Sequence, residues 1–221
     1  MNIYLESANL DEIRTAASAG LVDGVAFSHL AFSAEDPDGS MRERLEEISR
    51  EFAFPVCVPV GAVSSGDIYS EARELAKVSD HIVVQVPLVE DSLIPMARLS
   101  AEGVVVCATF VFTAAQAIIA SKAGASIVKV ALEELENFGQ SGVAALGEIK
   151  NVLDAGEEEC DVMAALPQSP TQFADCATAG ADIISLTPAS LRSVIVHPFS
   201  DRGVDRFLSD LAKRPKSRAG T

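Results

Sequence analysis

Eight short apolar segments, separated by stretches with helical or amphipathic patterning, run the length of this chain. They span residues 3–5, 24–27, 55–60, 81–87, 104–110, 127–130, 161–165 and 182–186. Short, continuous apolar runs of this kind are what strands buried on both faces of a parallel sheet require. Helical patterns lie between them, at 41–48, 68–77, 92–100, 114–123, 143–153 and 171–179. Parallel strands need crossover helices, and eight such units close into a barrel. The expected fold class is therefore α/β, a (β/α)₈ TIM barrel. Ala19-Gly20, Ala123-Gly124 and Ala179-Gly180 read as helix stops with a left-handed glycine. The Ala-Gly-Ala before the sixth and eighth strands is the same device, not a sign of duplicated domains.

At 221 residues and 48% hydrophobic, the chain can bury one sizeable core. A single domain over 1–212 and a flexible basic tail over 213–221 are expected. The formal net charge of −15 argues against nucleic acid and anionic membranes as partners, because both need clustered Lys and Arg. The one basic run, Lys213-Arg214-Pro215-Lys216-Ser217-Arg218, reads as a solvated terminus. No apolar run is long enough to span a bilayer and the start is not signal-like, so a soluble, cytoplasmic protein is expected. Cys57, Cys107, Cys160 and Cys176 lack metal-type spacing and read as reduced structural thiols, so no metal site or cofactor is expected. Glu157-Glu158-Glu159 reads as a solvated loop before the seventh strand.

Several runs carry a family likeness. They are Tyr4-Leu5-Glu6-Ser7-Ala8-Asn9, Leu21-Val22-Asp23-Gly24-Val25, Ala108-Thr109-Phe110-Val111-Phe112-Thr113, Ala179-Gly180-Ala181-Asp182-Ile183 and His197-Pro198-Phe199-Ser200-Asp201. With their order and spacing, the chain from residue 1 to about 212 resembles the small transaldolases and fructose-6-phosphate aldolases. The resemblance implies a barrel with an extra C-terminal helix, placed here at 204–211. It also implies homo-oligomeric rings, a pentamer or decamer, and a class I mechanism in which a strand-four lysine forms a Schiff base with a ketose donor.

At the positions that matter for that chemistry, the chain departs from the family pattern. His81-Ile82-Val83-Val84-Gln85-Val86-Pro87 has Gln85 where the family carries the Schiff-base lysine. Ser28, followed by His29, stands for the asparagine that handles substrate hydroxyls, and Pro59 for the glutamine that orients a catalytic water in fructose-6-phosphate aldolases. Ala131 replaces an aromatic residue, Glu134 the phosphate-gripping arginine, and Leu166 opens the loop that holds the family's phosphate-binding serine. Losing the arginine and the serine removes the charge-assisted contacts a phosphate needs. A non-phosphorylated carbonyl substrate is the expectation.

What remains is Glu6, Thr109 and Lys129, the last in Ile127-Val128-Lys129-Val130, where the family has a small residue. The resemblance implies that the residue two after Lys129 points into the barrel, so strand alternation sends Lys129 inward as well. Surrounded by Val128, Val130, Cys107 and Ala131, its amine would be desolvated, as a nucleophilic lysine requires. The alternative is a structural cation paired with Glu6. Gln85 reads as a hydrogen-bonding pocket wall, His29 as a loop residue able to act as an acid or base, and His81 and His197 as structural. Two functions stay open. One is an aldolase-like carbon–carbon lyase or transferase using Lys129, with Glu6 and Thr109 handling protons. The other is a non-catalytic barrel that binds a ligand or serves an assembly.

Overall fold

The computed structural model describes residues 1–213. Eight parallel strands, β1 (Asn2–Glu6), β2 (Gly24–Ala26), β3 (Val56–Pro59), β4 (Ile82–Pro87), β5 (Val105–Val111), β6 (Ile127–Ala131), β7 (Asp161–Ala165) and β8 (Ile183–Leu186), close into a barrel in sequence order. The ring is sealed by pairing of Asn2–Leu5 with Ile183–Leu186. The outer layer consists of α1 (Leu10–Ser18), α2 (His29–Glu35), α3 (Met41–Glu51), α4 (Ser65–Ala76), α5 (Leu93–Ala101), α6 (Ala114–Lys122), α7 (Leu132–Asn137), α8 (Gly142–Ala155), α9 (Pro170–Thr178) and α10 (Pro188–Ile195). An extra helix, α11 (Pro198–Lys213), follows. All eight expected strands form, with ends moved by at most one residue. From residue 214 the expected basic tail lies outside the described residues; Lys213 itself ends α11 and pairs with Asp210 at 3.6 Å.

Strand alternation divides the apolar residues into two clusters. Side chains such as Leu5, Val58, Val84, Val106, Val128 and Ile184 face the helices in the larger one. Tyr4, Cys57, Val83, Cys107, Ile127, Met163 and Ile183 fill the barrel interior below the site. Each fully buried Leu, Ile or Val contributes about 1.5–3 kcal/mol. Gly24 belongs to this close packing, because a Cβ there would lie 2.5 Å from Cε1 of the Tyr4 ring. Gly20, Gly124 and Gly180 have φ of +65°, +91° and +93°, as left-handed helix stops require.

At the carboxyl end of the barrel, loop residues start the helices that follow. Asn9 accepts from the Asp11 and Glu12 amides, Ser64 caps α4, Thr113 caps α6 and Ser169 caps α9. The loop before β7 differs from expectation. Glu158 is bound to Lys122 and accepts a hydrogen bond from Ser121 Oγ at 2.7 Å, so it ties the loop to α6 rather than standing free in solvent.

Candidate active site at the carboxyl end of the barrel

A cavity of about 420 Å³ opens at the carboxyl ends of the strands. Inward-facing positions near the ends of six strands reach it: Glu6 on β1, Pro59 on β3, Gln85 on β4, Thr109 on β5, Lys129 on β6 and Ala165 on β7. The register explains why these residues meet. Gln85 pairs with Pro59 on one side and Cys107 on the other, while Lys129 pairs with Met163, so Gln85 and Lys129 both sit one step above the apolar interior cluster. The cavity floor is therefore apolar, with polar groups directly above it.

Lys129 points inward as expected, and its surroundings differ from the expectation in one respect. Val128 and Val130 face the helix layer, leaving Cys107 as the interior neighbour of the amine. Lys129 Nζ lies 3.8 Å from Glu6 Oε2, with side chains 16% and 21% exposed. That separation gives Coulomb attraction but is too long for a hydrogen bond. Glu6 Oε2 is buried and accepts no hydrogen bond. A buried acceptor without a donor costs about 1–3 kcal/mol, and such groups concentrate where chemistry is done. The ammonium is thus beside a carboxylate without being hydrogen-bonded to it.

Gln85 is 5% exposed and forms part of the cavity wall. No hydrogen bond engages its amide among the described residues, so the pocket-wall placement holds without the protein partner expected for it. Thr109 is half-buried on the same wall, its carbonyl accepting from the Leu88 amide at 2.9 Å. Burial pushes the Cys107 thiol up to about 12, with Lys129 opposing, and raises Cys57 well above its ordinary value. Both remain neutral thiols at physiological pH and are packing groups.

Ala131, Glu134 and Leu166 line the cavity, as the sequence suggests. Ser28 and His29 do not. Ser28 Oγ accepts from the Ala31 amide at 3.2 Å as the cap of α2. His29 is exposed, and its Nε2 is 3.2 Å from the Pro59 carbonyl, a contact that needs a proton on Nε2. His197 acts at the start of α11, its Nδ1 accepting from the Phe199 amide at 3.1 Å.

Three wall residues are not evident from the strand pattern: Val60, Phe110 and Glu133. Glu133 could have been found from its place beside Glu134 in the first turn of the helix after β6. Phe110 could not. The pairing of β5 with β6 shifts between Ala108 and Val111, and Phe110 takes φ +57° there, turning a bulky side chain outward at 52% exposure. Leu166, also in the wall, has φ +54°. Left-handed backbone costs a non-glycine residue about 1–2 kcal/mol, and such strain clusters at functional sites. Among the described residues, no group of three or more His, Cys, Asp or Glu could hold a metal ion.

A family model described as Transaldolase/Fructose-6-phosphate aldolase matches residues 44–216. A probable transaldolase of Bartonella tribocorum is 34% identical over 213 residues, covering 96% of this chain and 97% of that protein. A probable transaldolase of Petrotoga mobilis is 32% identical, covering 96% of each. A solved structure of a cube-shaped, highly porous protein cage designed by fusing symmetric oligomeric domains superposes with a TM-score of 0.59 at 15% identity. It covers 95% of this chain and 76% of that one, and the likeness concerns the fold alone.

Proposed function

Because the chain belongs to the transaldolase/fructose-6-phosphate aldolase family, we propose that it is an aldolase-like carbon–carbon lyase or transferase. In this reading Lys129 on β6 supplies the Schiff-base amine in place of the β4 position, which holds Gln85, and the substrate is a non-phosphorylated carbonyl compound. The observation that carries the proposal is the Lys129 ammonium facing a cavity of about 420 Å³ with Glu6 at 3.8 Å. A purely structural ion pair needs no such space beside it.

In the forward direction, Glu6 takes a proton from Lys129 and the free amine adds to the substrate carbonyl carbon. Proton return to the oxygen releases water and leaves a protonated imine. That imine withdraws the electrons of the bond between its α- and β-carbons as the β-hydroxyl loses its proton to a carboxylate, and the β-carbon leaves as a carbonyl compound. The enamine left on Lys129 takes a proton at its α-carbon and is hydrolysed by water to free the amine. Glu6 is the nearest base on Lys129, and the Thr109 hydroxyl on the same wall can carry a proton through water. Glu134 at the rim opposes a phosphate, which supports the choice of substrate class. The competing reading is a barrel in which Lys129 and Glu6 are a structural pair and the cavity only binds a ligand; the same 3.8 Å contact favours it.

Borohydride reduction in the presence of a panel of ketones and aldehydes, followed by peptide mass mapping, separates the two. An adduct on Lys129 that disappears in Lys129→Met is expected. No adduct on Lys129 with any member of the panel defeats the aldolase reading. The acidic charge further supports a cytoplasmic protein without a nucleic-acid partner. The apolar stripe Val204, Phe207, Leu208 and Leu211, exposed along α11, supports assembly into a homo-oligomer.

A further inference from the structure

We propose that the cavity selects a carbonyl compound bearing a protonated amine, such as an amino ketone or amino aldehyde, whose ammonium is held by Glu133 and Glu134. The inference rests on the reading of Lys129 as the carbonyl-reactive group and adds the charge of the substrate.

One ammonium, Lys129, faces this cavity against three carboxylates, Glu6, Glu133 and Glu134. Glu6 is balanced by Lys129. Glu133 and Glu134 enter no ion pair among the described residues. Both lie in the first turn of α7, so the positive end of that helix is already faced by carboxylates and offers nothing to an anion. The site therefore disfavours an anionic substrate and leaves two negative charges to be met.

Hydrogen-bonding capacity points the same way. Glu6 Oε2 is buried and accepts nothing. Gln85, 95% buried in the wall, has an amide with no protein partner among the described residues, which leaves an acceptor oxygen and two N–H donors to be met. Carboxylates only accept, whereas an ammonium brings three donors and no acceptor. A hydroxyl brings one donor and two acceptor lone pairs, and a carboxylate brings only acceptors. An amine is the small group whose donors match the excess of acceptors. Part of the wall, including Pro59, Val60, Pro87 and Leu166, is apolar.

The test uses three ligands of one size on the full chain: aminoacetone, hydroxyacetone and pyruvate. Affinity is measured by isothermal titration calorimetry at low ionic strength without borohydride. Aminoacetone is expected to bind about tenfold or more tighter than hydroxyacetone, in keeping with charge-assisted hydrogen bonds, with pyruvate weakest. In Glu133→Gln/Glu134→Gln, both exposed positions whose change leaves the barrel intact, the preference should fall to within about threefold. It should persist in Lys129→Met, which removes imine formation but not the rim. Equal affinities, tighter binding of pyruvate, no binding of aminoacetone, or an undiminished preference in the double variant overturns the proposal. The Schiff-base reading stands or falls separately. An amine preference without a Lys129 adduct keeps the charge selection and rejects the aldolase, and an adduct without the preference does the reverse.

Discussion

Restoring a lysine on β4 by Gln85→Lys is expected to leave the chain without fructose-6-phosphate cleavage and to lower its stability. Residue 85 is on β4 and Lys129 two strands away on β6, both facing the same cavity. Neighbouring strands are about 4.8 Å apart, which puts the two ammonium groups about 8–10 Å from each other. At an effective dielectric of about 20, like charges at that distance repel by about 2 kcal/mol. Glu6, already beside Lys129, can offset only part of this. A loss of about 1–2 kcal/mol in urea unfolding is expected.

The amine alone does not rebuild the reaction. A ketose phosphate meets Glu134 and Leu166 where an arginine and a serine-bearing loop would grip it, and each missing charge-assisted contact costs about 1.5–3 kcal/mol. Two such losses lower the rate by about 10²–10⁴, and groups that act as a unit do not recover singly. The assay is release of glyceraldehyde 3-phosphate from fructose 6-phosphate, coupled to a dehydrogenase. Cleavage by the unmodified chain, or by Gln85→Lys alone, above a control carrying Lys129→Met would refute the reasoning. So would an unchanged urea midpoint, which would mean that the two charges do not sense each other.

Stability should fall on the alkaline side. Burial raises Cys57 well above its ordinary value and pushes Cys107 to about 12, while the unfolded thiols ionise near their ordinary pKa of about 8.5. Raised pKa values of this sign give stability that is complete below about pH 8.5 and is lost as pH climbs toward 12. Urea unfolding should show a decrease of about 4 kcal/mol between pH 8 and pH 10, about 2 kcal/mol from each thiol, and a constant midpoint contradicts the burial of these thiols. For assembly, light scattering should give a mass several times that of one chain, with five or ten copies expected from the family resemblance. Phe207→Glu/Leu211→Glu should reduce it to the monomer, whereas a clean monomer mass for the unmodified chain rejects α11 as an interface.

Periodicity along the chain was enough to determine the eight strands, the helices α3 to α6, α8 and α9, and the glycine stops at 20, 124 and 180, while the family resemblance with strand alternation gave the inward direction of Lys129. All are local properties, set by which face of a strand or helix is apolar and by which residue tolerates a left-handed backbone. Barrel closure decided the rest. Glu6 and Lys129 are 123 positions apart in sequence, and the 3.8 Å between them exists because β1 and β6 project into one interior at matching heights. The same closure turned Ser28 into a helix cap, set His29 against the Pro59 carbonyl outside the cavity, and brought Glu133 onto the rim. Phe110 takes its left-handed backbone at the barrel mouth where β5 slips against β6. No pattern within a single segment encodes such a slip, because it is imposed by neighbouring strands and loops far away in sequence.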